Sequence, residues 1–495
     1  MTREAKVLVG KRHGVKPEMG FSEKIPLRPW GAGRQRSPQT AASGAMMIFD
    51  RLLRAAYEQA NFPRGRVMGA RTIQVEEKVP FLQGIPLSFQ HLFAMFGASV
   101  LVPTLFKIDP AVVLFMNGVG TLIYLVLCKG KAPAFLGSSF AFLSPVFVVL
   151  GANQALWGDN YSYALGGFIA SGLVFVSVAL IIWKFGSEWI KFVLPPATMG
   201  PIVALIGLEL ASVATGMAGF TPDAQGGYNT TGIIVAVITL LTVAFGSLLF
   251  RGFMAVIPVL TGIIVGYAVS IPLGLVNFEA VAAAPVLAFP TIYTPKFDIN
   301  AILIIIPASL VVISEHIGHL VVTGNIVGRE LTKDPGLHRS LLGDGISTAL
   351  SGFLGSVPTT TYGENIGVMA ITRVYSVWII GGAAAISIVL AFIGKLSAVI
   401  QSIPAPVMGG ICILLFGVIA ASGIRMLVEA RVDYSKPINL TLTAIVLIVG
   451  ISGVAVKLGT VELKGMALAT VVGMALSLIF HLLERAGLVN TQTDI

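Results

Sequence analysis

The chain has 495 residues, of which 55% are hydrophobic and only 12% charged, and its mean hydropathy is +0.87. A soluble globular domain carries about a quarter charged residues, so this composition excludes a soluble enzyme and a soluble domain on a single anchor. The net charge of +9 does not mark a nucleic-acid binder: residues 1–78 hold 15 Lys+Arg and 7 Asp+Glu, a surplus of 8, and the remainder holds 18 and 17, a surplus of 1.

Residues 1–78 come first. Their Gly, Pro, Ser and Arg content cannot bury a core, so they are expected to form a disordered basic extension. There is no signal-peptide h-region before Pro86. Met68 is the expected true start, because Met68–Lys78 leads directly into the first apolar run.

From Pro86 the chain reads as an all-α polytopic membrane protein, with about fourteen segments long enough, or nearly so, to cross a ~30 Å hydrocarbon core. The first seven are 86–106, 111–128, 133–150, 162–183, 190–214, 231–250 and 252–273. A linker around Val276–Asn300 follows. The second seven are 301–324, 341–355, 362–374, 376–394, 403–424, 438–455 and 465–483, and residues 485–495 form a C-terminal tail. Cys128 and Cys412 lie in or at the ends of apolar runs and give no disulfide framework. Of the 18 basic residues beyond Lys78, thirteen fall on the side of the termini and five opposite. The positive-inside rule then places both termini in the cytoplasm of a multi-pass cell (inner) membrane protein.

The two halves echo each other. Leu194–Ile202 and Ile403–Ile411 share four identities in nine positions. Seven is odd, so the second copy enters the membrane from the opposite side. Such an inverted repeat is typical of secondary transporters, whose binding site lies near the midplane at the repeat interface. The third segment of each half is unusual. Leu136–Phe142 and Thr359–Asn365 are small, polar and β-favouring where a helix should be continuous. Each predicts a short extended stretch leading into a half-helix. Irregular backbone at that depth must be buried in protein or line a cavity, and a half-helix start offers free N–H groups and a positive dipole end.

The acidic groups fall in the same place. Glu315 lies in the apolar run Ala301–Gly324 with His316 and His319, and Glu364 is the only charged residue of Pro358–Ile371. A carboxylate at bilayer depth costs about 3 kcal/mol on insertion scales unless it is partnered or lines a polar cavity. Glu315 and His319 are at i and i+4, on one helix face, and histidine titrates near physiological pH. The group therefore reads as a proton-coupled binding site. His316, on another face, and Glu209, near a helix end, read as structural. So does Asp344 in Gly343-Asp344-Gly345, although it could also support backbone near the site. The histidines at i and i+3 do not fit the zinc-protease pattern, and no metal is expected.

The segment Glu364–Arg373 carries Glu364, Asn365, Gly367, Thr372 and Arg373 at the five fixed positions of the nucleobase–ascorbate transporter (nucleobase:cation symporter-2) signature, and the chain resembles that family over about residues 80–484. Gln90-His91 is similar to its second signature, and Ser314–His319 with Thr360–Asn365 resemble its bacterial uracil:proton symporters. The resemblance implies a 7+7 inverted repeat. A core domain would hold spans 1–4 and 8–11 (about 86–183 and 301–394), and a gate domain spans 5–7 and 12–14 (about 190–273 and 403–483). It implies nucleobase binding by the side chains of Glu315 and Glu364 and by backbone amides at Phe140 and Gly363. His319 would partner Glu315 in proton coupling, and a homodimer would form through the gate domain. The implied activity is proton-coupled uracil import with no cofactor, the alternative being a purine or xanthine symporter of the same family. The residues fit this chemistry. Uracil has two N–H donors for carboxylates and two carbonyls for helix-start amides, and Phe140 and Tyr362 could supply ring faces. Gln90, His91, Asn365, Asp344 and Ser139 are possible supports. An anion transporter of the same architecture is disfavoured by Glu364 beside the pocket.

Overall fold

The computed structural model describes residues 72–222, 226–458 and 461–489. The expectations for residues 1–71, including Met68 as a start, and for residues 490–495 lie outside these.

The first half contains α1 (Phe81–Phe106), α2 (Pro110–Leu127), β1 (Leu136–Ser138), α3 (Leu143–Leu150), α4 (Trp157–Phe185), α5 (Pro196–Glu209), α6 (Thr230–Leu249) and α7 (Pro258–Ser270). The second contains α8 (Ile299–Val327), α9 (Leu337–Leu354), β2 (Thr359–Thr361), α10 (Gly363–Thr372), α11 (Val377–Ala391), α12 (Ala405–Glu429), α13 (Pro437–Ile451), β3 (Ala455–Leu458), β4 (Val461–Lys464) and α14 (Gly465–Arg485). Among the described residues eight helical segments are long and apolar enough to cross a membrane, one of them α5 taken together with the short helix Ala211–Met217, and four more apolar helices are shorter.

Helix starts follow local chemistry. Asp109 caps α2 through Ala111 N, Asn229 caps α6 through Gly232 N, Asp298 caps α8 through Ala301 N, and Ser376 caps α11 through Trp378 N. Pro110, Pro196, Pro258 and Pro437 open helices, where the missing N–H costs nothing.

Several predicted boundaries are corrected. The span read as 190–214 is broken into Ile190–Val193, α5 and Ala211–Met217. Pro195 and Pro196 supply no amide donors and hold the preceding backbone out of the helical region. The span read as 252–273 begins with a 3-10 turn, Gly252–Val256, before α7. The span read as 438–455 ends at Ile451, and the chain turns into the antiparallel β3–β4 hairpin. α1 starts at Phe81 rather than at Pro86, which sits inside the helix. The extension read as disordered to residue 78 is ordered from Ile73, which bridges Val374, with Tyr375 N and Val377 N donating to Ile73 O and Val75 O, each at 2.9 Å. Arg329 grips the Glu76 carboxylate with both terminal nitrogens and holds that carboxyl below the usual carboxylate range.

The helices pack in two groups. In one, α4 lies along α8 and α9, α2 along α9 and α11, and α1 along α11. In the other, α12 lies along α5 and α6, α6 along α7, and α13 along α5 and α14. Small residues bring the backbones together, as membrane helices require. Gly345 of α9 backs onto Gly172 of α4, and Gly423 of α12 onto Gly200 and Ala204 of α5.

β1 and β2 pair antiparallel, Leu136 with Thr361, Gly137 with Thr360 and Ser138 with Thr359. Ser139 N donates to Pro358 O at 2.9 Å and Tyr362 N to Phe135 O at 3.0 Å, extending the ladder at both ends. The amide of Leu136 donates to Thr121 Oγ1 of α2 at 2.9 Å, which ties the ladder to the first group. A Cβ on Gly137 would run into the Tyr362 ring. Overpacking of this kind costs about 1–3 kcal/mol. Gly137→Ala is expected to lower the thermal unfolding temperature in detergent and to depress uptake; an unchanged melting curve would show that the ring can move aside.

Candidate functional site

The ladder sets the geometry. Its strands run antiparallel, so the chain leaves it at opposite ends. Beyond β1, Ser139 precedes the 3-10 turn Phe140–Phe142 and then α3; beyond β2, Tyr362 precedes α10. Neither Ser139 nor Tyr362 caps its helix with a side-chain hydrogen bond. The first amides at Phe140 and Gly363 therefore lack intrahelical acceptors and lie at positive dipole ends.

α8 reaches this ladder through His319. The ring Nδ1 lies 3.1 Å from Thr361 Oγ1, and Nε2 lies 3.4 Å from where a Cβ on Gly363 would stand. The structure thus brings His319, Thr361 and the start of α10 together, with Glu364 as the next residue and Glu315 one turn earlier on α8. Glu315, Glu364, Phe140, His319 and Gln90 are half-buried and Gly363 is exposed, whereas the surrounding Ser139, Thr360, Thr361 and Asn365 are buried. Among the described residues neither Glu315 nor Glu364 has a cationic side chain in ion-pair range. Two carboxylates without a cationic partner and two helix starts without side-chain caps thus lie on the elements that meet at this ladder.

Some expected residues make hydrogen bonds within the protein. Tyr362 is buried, and its hydroxyl donates to Ser138 O at 3.0 Å, which clamps β1 to the end of β2. Asn365 Nδ2 donates to His91 O at 3.0 Å and lies 3.2 Å from His91 Nδ1. Both residues are buried, so this half of the signature ties α10 to α1. Phe140 meets Phe416 of α12 edge-on, with ring centroids 6.3 Å apart. Phe416 was missed; its signal was its position half-way along the span that opens with the repeated Pro/Gly motif.

Behind the ladder lies a polar network with no exposed member. His316 Nε2 is 2.6 Å from Ser340 Oγ, and its Nδ1 faces Asp344 Oδ2 at 3.1 Å. Tyr124 hydroxyl lies 2.9 Å from the same Ser340. Thr359 hydroxyl lies 2.8 Å from Ser347 Oγ and 3.5 Å from Asp344 Oδ1, and Thr348 Oγ1 bonds both Thr359 N and Thr359 O. α9 thus grips the first residue of β2, and His316 grips α9. Ser340, Ser347 and Thr348 went unnoticed as members of this network, although the low apolar content of α9 was their signal. Among the described residues no group of three His, Cys, Asp or Glu could hold a metal ion.

This geometry can now be set beside known proteins. The sequence model of the Permease family, covering xanthine and uracil permeases, matches residues 82–459. The chain belongs to the nucleobase:cation symporter-2 permease family. Members of this permease family are transporters rather than enzymes. The permease is 59% identical to the uracil permease of Paenibacillus larvae subsp. larvae over 84% of this chain and 99% of that one. It is 58% identical to the uracil permease of Escherichia coli K12 over 84% and 96%, and 46% identical to that of Bacillus caldolyticus over 83% and 95%. Among solved structures, the murine anion transporter Slc26a9 in its inward-facing state superposes with a TM-score of 0.64 at 12% identity, covering 92% of this chain and 77% of that one. The transmembrane domain of a cyanobacterium bicarbonate transporter, BicA, superposes with a TM-score of 0.53 at 12% identity, covering 83% and 99%. At such identity these two likenesses establish a shared fold and nothing about substrate.

Proposed function

We propose that this permease imports uracil across the cell membrane by proton symport. The observation that carries the reading is the seating of His319 against Thr361 and Gly363, which brings the helix of Glu315 to the start of the helix of Glu364; in this reading their carboxylates and the uncapped starts at Phe140 and Gly363 form one binding set. Uracil matches that set with its two N–H groups and two carbonyls. Glu315 and Glu364 accept from the ring N–H groups, and amides at Phe140 and Gly363 donate to the carbonyls. In this reading His319, hydrogen-bonded to Thr361 from the helix of Glu315, exchanges the coupling proton with that glutamate. Its uracil permease relatives, 45–59% identical, support the substrate.

The same reading assigns the architecture. The eight long apolar helices, the four shorter ones, and α9 and α10 make fourteen membrane segments in a 7+7 inverted repeat. The first helix group is the core that carries the site, the second is the gate, both termini are cytoplasmic, and the gate pairs two copies into a dimer. Two helix groups that each pack internally support movement of one against the other.

The test is uptake of radiolabelled uracil in transport-deficient cells. The expected result is uncoupler-sensitive accumulation that excess unlabelled uracil suppresses and xanthine does not. Competition by xanthine stronger than by uracil would move the substrate to the purines; uptake indifferent to the uncoupler would remove the proton.

A further inference from the structure

Glu209 ends α5, and the transport reading gives it no part. Its carboxylate is half-buried and bonds both α14 of the second helix group and α3, which packs on α4 and α8 of the first. Ser144 Oγ, on the first turn of α3, donates to Oε1 at 2.7 Å, and the amide of Met466, at the start of α14, donates to Oε2 at 3.2 Å. Gly465 has φ +55°, and a Cβ there would collide with this carboxylate. The absence of a side chain at position 465 is what lets Glu209 reach the helix start.

The two bonds differ in kind. The bond to Met466 N lies within the second helix group and places an anion at the N-terminus of α14, where the dipole favours it. That contact alone would be an ordinary cap. The bond to Ser144 crosses to the first group and is not needed for capping. It reaches the half-helix that follows Phe140, and Ser144 sits one turn beyond Phe140 on that continuous helical segment. A hydroxyl donating to a carboxylate is among the stronger hydrogen bonds available to a side chain.

We propose that Glu209 is a positioning residue for transport. While the groups are closed at this end, it registers α3, and with it the Phe140 amide, against the second group. When the groups part, it releases Ser144 and keeps Met466, so the carboxylate is never left without a donor. This rests on the reading above, in which the two groups move against each other.

The test uses the full chain with Cys128 and Cys412 replaced by alanine and spin labels at Ala152 and Lys457. Both positions are exposed; one lies just beyond α3 and the other on β3. Electron–electron distance measurements are made on this parent and on Ser144→Ala, Glu209→Gln and Glu209→Ala. Ser144→Ala removes only the crossing bond, and it is expected to shift the balance from short to long separations by roughly tenfold. Glu209→Gln keeps an oxygen to accept from Met466 N and gains an amide N–H that the Ser144 hydroxyl can accept, so it is expected to stay close to the parent. Glu209→Ala is expected to match or exceed Ser144→Ala. If Glu209 were only a cap for α14, Glu209→Ala would change the distances and Ser144→Ala would leave them at the parent's, and that result would overturn the proposal. The labels report without substrate, so failure of the parent to take up uracil would count against the transport reading and not against this one.

Discussion

Glu364→Ala is expected to raise the Kd for uracil by at least about a hundredfold, as read by calorimetry on the purified protein. Glu364 is the second residue of α10, directly after Gly363, which lies beside the ring of His319. A ring N–H that donates to a carboxylate contributes about 1.5–3 kcal/mol, and the alanine variant also leaves that N–H buried without a partner. A site built to hydrogen-bond its substrate therefore loses more than the bond itself when one member is removed. Stability should move little. Among the described residues Glu364 has no cationic partner, so its removal leaves no buried charge unpaired. The melting temperature checks that point. Glu364→Asp, which keeps the carboxylate but withdraws it by one methylene, should recover part of the affinity. A Kd for Glu364→Ala within about threefold of the parent would take Glu364 out of the site.

What the sequence made legible here was chemistry out of place. A carboxylate in an apolar run has few explanations, and Glu315 and Glu364 were found on that ground alone. The two β-favouring stretches were visible for the same reason: Leu136–Ser138 and Thr359–Thr361 could not be ordinary parts of membrane helices. Their pairing was not visible. Three-residue strands have no alternation long enough to fix a register, and their partners come from different halves of the chain. The same limit hid the hydrogen bond from Tyr362 to Ser138. An aromatic beside a candidate pocket reads as a substrate contact until the facing residue is known, and Gly137 is the residue that makes room for its ring. His316 was read as structural, but nothing local pointed to Asp344, Ser340 and Tyr124 as its neighbours, because they arrive from α9 and α2. The break at Pro195 was written in the sequence and was overridden by the apolar character on either side of it.

Glu315→Gln is expected to abolish concentrative uptake while leaving uracil binding measurable. Glu315 shares a helix face with His319, and His319 is held to Thr361 at the ladder that presents Glu364. In the proposed mechanism a proton taken up by this group from outside changes the charge the ladder faces, and release of that proton to the cytoplasm changes it back. Glutamine has nearly the shape of a protonated glutamate but cannot give its proton up. It should lock the site in the loaded form, so uracil still binds and crosses but no longer follows the proton gradient. The magnitude follows from the gradient. One pH unit is worth about 1.4 kcal/mol per proton, or roughly tenfold accumulation at one proton per uracil. Vesicles with an acid exterior and an interior one unit more alkaline should therefore concentrate uracil up to about tenfold with the parent and equilibrate to a ratio of about one with Glu315→Gln. Exchange of external for internal uracil should persist in the variant, since it needs no net proton movement. His319→Gln should keep the ring's contact with Thr361 only in part, and it separates proton transfer from positioning: loss of accumulation with exchange intact assigns His319 to the proton, and loss of both assigns it to holding the ladder. Accumulation by Glu315→Gln equal to that of the parent would show that the proton travels elsewhere.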